Sequence, residues 1–147
     1  MRVILQRVTS ASVVIDHKCV GQIDQGYLVL VGFTHDDTEA DIDYMVEKVK
    51  NLRVFSDEDG NMNRSLCDIQ GKILSVSQFT LYADARKGRR PSFINAMKPE
   101  LATKMYDLWN EKLRQAGIEV QTGIFGADMK VTLTNDGPVT ICLESRK

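Results

Sequence analysis

Ser77, Gln78 and Thr80 stand in one run with Phe79 and Leu81. Their hydroxyl and amide groups give and accept hydrogen bonds without titrating near neutral pH. The run follows an apolar stretch, Lys72-Ile73-Leu74-Ser75-Val76, and precedes a cationic loop, Arg86 to Pro91, built around Gly88. Polar groups at the end of a core strand beside a basic loop suit a strand-end active site. They also suit a strand that ends by hydrogen-bonding its own turn. Proton transfer is not written into the run. A serine or threonine nucleophile needs an adjacent base, and the two histidines, His17 and His35, are remote in sequence. A second polar segment, Asn135-Asp136-Gly137-Pro138-Val139-Thr140, lies near the C-terminus and favours the functional reading.

The elements that must position these segments can be read from periodicity. Val3 to Val8 and Ala11 to Asp16 are expected as two strands. Asp16-His17-Lys18 is expected to turn the chain into a return strand, Cys19 to Ile23. Tyr27 to Phe33 is continuously apolar, as in a strand covered on both faces. Thr38 is placed as an N-cap, with Glu39 and Asp41 in the first helical turn and Ile42, Met45, Val46 and Val49 on one stripe. Ser56 to Asn61 is an acidic turn without the ligand spacing of a calcium loop. Pro99 opens a second helix whose stripe is Leu101, Met105, Leu108, Trp109 and Leu113, ending at Gly117. Ile118 to Thr122 is a strand. Met129 to Leu133 and Val139 to Leu143 alternate as two more, joined at Gly137-Pro138. The expected class is α+β: one domain over residues 1–147, a largely antiparallel curved sheet or open barrel with two packed helices.

Composition narrows the function. A length of 147 residues suits one core-forming domain. A net charge of −1 gives no global pull toward nucleic acid, so any such contact must be local. Arg86, Lys87, Arg89 and Arg90 form the one dense basic run. It reads equally as a solvated loop or as a phosphate contact that releases counterions. Cys19, Cys67 and Cys142 are widely spaced and read as reduced structural thiols. No metal-ligand spacing, nucleotide-binding glycine loop or nucleophile elbow is present. No cofactor and no metal site are therefore expected. The N-terminus lacks a signal-like apolar run, and the apolar stretch at Tyr27 is too short for a membrane span, so a cytoplasmic protein is expected.

Ser77-Gln78-Phe79-Thr80-Leu81 and Asn135-Asp136-Gly137-Pro138-Val139-Thr140 resemble the two signature motifs of D-aminoacyl-tRNA deacylases, S-Q-F-T-L and N-x-G-P-x-T. The stretches Arg2-Val3 to Val13, Gly88-Arg89-Arg90-Pro91-Ser92-Phe93, and Phe125-Gly126-Ala127 with Met129 match the same family. The similarity runs the length of the chain, with no departure at a motif position.

The resemblance implies a homodimer that hydrolyses the ester between a D-amino acid, or mischarged glycine, and the 3′-terminal adenosine of tRNA. It puts Ser77, Gln78, Phe79 and Thr80 at the catalytic centre, with backbone N–H groups near Phe79 and Thr80 stabilising an oxyanion. The RNA's own 2′-hydroxyl would assist in place of a histidine. Gly137 and Pro138, joined by a cis peptide, would enter the partner's site and exclude L side chains by crowding. Phe125, Gly126, Ala127 and Met129 would line an adenine pocket, Arg7 would fix the Gly-Pro segment, and Arg86, Lys87, Arg89 and Arg90 would meet tRNA. Each also has a plainer reading: Arg7 as a surface strand charge, Ala127 as part of a turn. Thr80 is expected to act through its backbone. The alternatives are a nucleic-acid-binding module that kept the fold without hydrolysis, and a related editing domain acting on L-amino acids.

Overall fold

In the computed structural model, which describes residues 1–145, the N-terminal third folds as the apolar alternation requires. β1 spans Arg2–Ile15, β2 spans Lys18–Ile23 and β3 spans Gly26–Gly32. β1 is one strand where the sequence suggests two. Both halves face the same partner strand, and the polar Thr9 and Ser10 between them stay in the sheet as an irregularity. Asp16 and His17 adopt φ of 48° and 65°, the left-handed pair whose twist matches a tight hairpin. β3 is buried on both faces.

The first helix, α1, spans Glu39–Asn51, and the Thr38 N–H donates to Asp41 Oδ2 at 2.8 Å, fixing its start. β4, Phe55–Ser56, and β5, Met62–Arg64, form a small hairpin around the acidic turn. There Asp57 Oδ1 accepts from the N–H groups of Asp59 and Asn61 at 2.9 and 3.0 Å, so the carboxylate closes its own turn. No group of potential metal ligands occurs among the described residues. β6 spans Lys72–Ser77 and runs into a 3-10 turn, Phe79–Tyr82. The second helix, α2, is Pro99–Gln115; β7 is Val120–Thr122 and β8 is Lys130–Glu144. No helix among the described residues is long and apolar enough to cross a membrane.

The sheet order is β2-β1-β3-β6-β7, with β8 also on β1. The α+β class holds, but the sheet is mixed. β1 pairs antiparallel with β2, β3 and β8, whereas β3–β6 and β6–β7 are parallel. The reason is the crossovers: the chain passes through α1 before β6 and through α2 before β7, and each return restores the strand direction. The two ends of the order curl together, so that a Cβ on Gly21 of β2 would stand 2.9 Å from the Thr122 carbonyl of β7. Only glycine permits that near-closure.

Val8, Val13, Leu28, Leu74 and Val76 fill the barrel interior. The helices bury Ile42, Met45, Val49, Trp109 and Leu113 against its outer face. The stripe of α2 is Ala102, Tyr106, Trp109, Asn110 and Leu113. Leu101, expected inside, is 54% exposed, because the buried face lies one position further round the helix. Trp109 is a core residue. Its Nε1 donates to Ser75 Oγ at 3.2 Å while Tyr106 Oη donates to the Ser75 carbonyl at 2.7 Å, which pins β6 to α2 just before the polar run. The three cysteines are free, as expected, but all are exposed and so are not core-filling thiols.

Candidate active site

β6 ends in the middle of the sheet, so Ser77, Gln78 and Phe79 emerge at the carboxyl end of a core strand. The parallel pairing of β6 with β7 brings the turn after β7 alongside. The result is a cleft of about 320 Å³. Ser77, Gln78 and Phe79 line it together with Phe125, Gly126, Ala127 and Met129, and Val76, Asp128 and Val131 complete the walls. Two groups singled out separately in the sequence thus meet. Asp128 was not among them; its carboxylate lies 3.1 Å from Lys130 Nζ, a neighbour pair no motif signals.

Thr80 is exposed and lies outside the cleft lining. Gln78 Nε2 donates to its hydroxyl at 2.5 Å. No titratable side chain hydrogen-bonds that hydroxyl among the described residues. Of the two histidines, His35 is engaged with backbone: its Nε2 lies 2.7 Å from the Ile94 carbonyl. The backbone is more suggestive. The Gln78 N–H still donates sheet-fashion to the Val31 carbonyl at 2.8 Å, and the first bond of the 3-10 turn comes from the Leu81 N–H to the Gln78 carbonyl at 3.2 Å. The N–H groups of Phe79 and Thr80 fall between, in the opening positions that have no acceptor within the turn.

The second motif is built as a bulge rather than as a hairpin joining two strands. Gln6 pairs with Thr140 and Val8 with Asn135, so Asp136, Gly137, Pro138 and Val139 stand opposite Arg7 alone. Asn135 staples the bulge: its Oδ1 accepts from the Val139 N–H at 2.7 Å and its Nδ2 donates to Thr140 Oγ1 at 2.9 Å. Here lies the physical sense of an asparagine and a threonine at the two ends of this motif. From beneath, Arg7 Nε donates to the Asp136 carbonyl at 2.8 Å and Nη1 to the Val54 carbonyl at 2.6 Å, with the Asp136 carboxylate 3.6 Å away. Arg7 is buried, so it is no surface strand charge. It also opposes the burial that pushes the neighbouring Tyr27 phenol up. Gly137 has φ +145°, and a Cβ there would meet Val139 Cγ2 at 2.7 Å and Arg7 Nη2 at 3.2 Å. The Gly137-Pro138 peptide is cis, and both residues are exposed. They do not line the cleft of their own chain.

The basic loop divides in two. Arg86 donates to both carboxylate oxygens of Asp84 at 2.9 and 2.6 Å and holds that carboxyl down to about 2. It latches the loop base, where Asp84 and Ser92 exchange backbone bonds of 2.8 Å. Lys87, Arg89 and Arg90 are exposed, with no ion pair among the described residues.

The family model for D-Tyr-tRNA(Tyr) deacylase matches residues 4–144. A D-aminoacyl-tRNA deacylase of Bacillus cytotoxicus (strain DSM 22905 / CIP 110041 / 391-98 / NVH 391-98) is 57% identical over 146 residues, 99% of this chain and 100% of that protein. One of Bacillus pumilus (strain SAFR-032) is 56% identical over the full length of both. Among solved structures, the c-Myc DNA Unwinding Element Binding Protein superimposes with a TM-score of 0.94 at 43% identity, covering 100% of both chains. A probable eukaryotic D-amino acid tRNA deacylase has a TM-score of 0.84 at 20% identity, covering 97% of this chain and 98% of that one, a likeness of fold alone.

Proposed function

The chain belongs to the D-Tyr-tRNA deacylase family, hydrolases of aminoacyl-tRNA, and from that premise we propose how its own residues perform the reaction. The cleft between Ser77–Phe79 and Phe125–Met129 receives the 3′-terminal adenosine, with the adenine against Phe125, Gly126, Ala127 and Met129. The ester carbonyl points at the N–H groups of Phe79 and Thr80. Water adds to the carbonyl carbon, the N–H groups stabilise the oxyanion, and the bond to the ribose oxygen breaks as that oxygen takes a proton. Free D-amino acid and tRNA result. The ribose 2′-hydroxyl relays the proton, since among the described residues no titratable side chain hydrogen-bonds Gln78 or Thr80. Gln78 orients the Thr80 hydroxyl, and Thr80 contributes its backbone. The observation that carries this reading is the convergence of two sequence-remote motif segments on one cleft beside the Phe79 and Thr80 N–H groups, which have no acceptor within their turn.

Chiral selection falls to Gly137 and Pro138 of a second copy. The segment is exposed, is held by Arg7 and Asn135, and lies off its own chain's cleft, as an element delivered to a partner in a homodimer would. Its carbonyls take the α-amino group and crowd the direction of an L side chain; a D side chain and the hydrogen of glycine are left room. The chain works in the cytoplasm, where aminoacyl-tRNA is found. Lys87, Arg89 and Arg90 supply phosphate contacts, with Arg86 shaping the loop. Arg89→Ala combined with Arg90→Ala weakens tRNA binding most at low salt. It lowers the slope of log affinity against log salt by roughly 1.4–1.8, the share of two phosphates. Equal affinity at every salt overturns that contact.

The deciding experiment follows D-Tyr-tRNA and L-Tyr-tRNA with the purified protein. Rapid loss of the D ester alone is the expected result. A solved relative at 43% identity carries a DNA-binding name, and a module that binds without hydrolysis is the rival. It requires that both esters persist as in buffer.

A further inference from the structure

Phe93 closes the motif that begins at Gly88, and the reaction proposed above makes no use of it. Its ring stands edge-on to that of Phe79, with centroids 4.9 Å apart and planes at 61°. Phe79 is 52% exposed, Phe93 38% and Ile94 77%. These side chains do not project from a slack loop. Ser92 is bonded to Asp84 through both backbone groups, the Ala96 N–H donates to the Phe93 carbonyl at 3.0 Å, and Thr34 Oγ1 donates to the Asn95 carbonyl at 2.5 Å. The Met97 N–H then donates to the Phe33 carbonyl at 3.0 Å. An anchored backbone thus holds two aromatic rings in water, one of them on the cleft wall. The uncommitted cations Lys87, Arg89 and Arg90 lie a few residues upstream.

Rings presented to solvent, with exposed cations a few residues away in the same loop, are the composition that binds single-stranded nucleic acid: bases stack on the rings and phosphates meet the charges. We propose that Phe93, backed by Phe79, is a stacking platform for the nucleotide that precedes the terminal adenosine, with Arg89 and Arg90 holding the phosphates of the unpaired 3′ end. The inference rests on the reading that the cleft takes that adenosine. It makes Phe93 a determinant of recognition beyond the ester itself. It also implies that an unpaired end is preferred over one masked by pairing.

The test compares Phe93→Ala, Phe93→Leu and Phe93→Trp on D-Tyr-tRNA and on the D-tyrosyl ester of adenosine, which is too short to reach the platform. Phe93→Ala and Phe93→Leu are expected to raise KM for the tRNA about tenfold with little change in kcat, the loss of one stacked base. The KM for the adenosine ester should move at least fivefold less. Phe93→Trp should keep the wild-type KM, and its fluorescence should be quenched by a cytidine-cytidine-adenosine trinucleotide. Leucine substituting fully for phenylalanine would overturn the platform, because apolar packing would then suffice. Equal losses on both substrates would overturn it too, since Phe93 would be shaping the cleft through Phe79. A change in sedimentation mass among the variants would assign the face to a second copy instead. If the wild type cleaves neither ester, the deacylase reading fails. Trinucleotide quenching then still decides the platform: quenching supports it and its absence rejects it.

Discussion

Phe79→Pro should slow single-turnover hydrolysis of D-Tyr-tRNA by about two to three orders of magnitude relative to Phe79→Ala, the usual cost of one oxyanion donor. Both variants lose the ring; only proline loses the N–H. The position tolerates the change. Phe79 opens the 3-10 turn, where its N–H has no acceptor within the turn, and Gln78 before it has φ −145° and ψ 81°, outside the helical region that a following proline disfavours. The melting temperatures of the two variants should therefore agree within a few degrees, and a large difference would point to a disturbed turn. Thr80→Ala keeps its N–H and loses only a hydroxyl that Gln78 already holds, so it should lose less than about tenfold, the smaller share expected of a positioning contact. The opposite pattern, Thr80→Ala inactive while folded and Phe79→Pro no worse than Phe79→Ala, would make the hydroxyl the nucleophile and remove the backbone from the mechanism.

That contrast bears on what the sequence can and cannot disclose. Periodicity located β3, α1 and the Asp16-His17 turn because burial pattern and turn chemistry are local properties. It placed Leu101 inside because a leucine at helical spacing carries no mark of where a stripe ends. Strand direction is not periodic at all. The parallel pairs β3–β6 and β6–β7 follow from crossovers through α1 and α2, and these hold helix-length segments that could have been read as such. The cleft depends on that direction. Phe125 and Met129 reach Ser77 only because β7 runs parallel to β6, so periodicity alone gave no reason to join them, and the resemblance did. The continuous β8 escaped for a related reason. Gly137-Pro138 is ordinary turn chemistry, and nothing local says that both flanks pair with β1. The stapling roles of Asn135 and Thr140 were open to reading, since both are short side chains suited to bonding nearby backbone and each other.

Arg7 is where stability and selectivity should part company, which makes Arg7→Met the more informative companion experiment. Arg7 Nε and Nη1 serve two carbonyls, those of Asp136 and Val54, and its side chain is only 11% exposed. Methionine retains much of the bulk and none of the donors. Each carbonyl left without a partner, that of Val54 buried and that of Asp136 part-buried, costs roughly 1–3 kcal/mol, together about 2–6 kcal/mol. For a chain of this length that is a fall of roughly 10 °C in Tm. Arg7→Lys, with one compact ammonium in place of a fork, reaches one carbonyl well and should lose about half as much. Asn135→Ala loosens the same bulge from its other side. Combined with Arg7→Met it should be less than additive, because the two variants release one shared segment. The functional consequence follows from place. A bulge free to shift no longer holds Gly137 and Pro138 in a fixed attitude, so hydrolysis of L-Tyr-tRNA should rise while that of the D ester falls, and the ratio of the two initial rates should drop by an order of magnitude or more, the effect of about 1.4 kcal/mol in differential exclusion. A variant melting 10 °C lower with its D-to-L ratio intact would confine Arg7 to folding and leave chiral selection to be sought in the cleft itself.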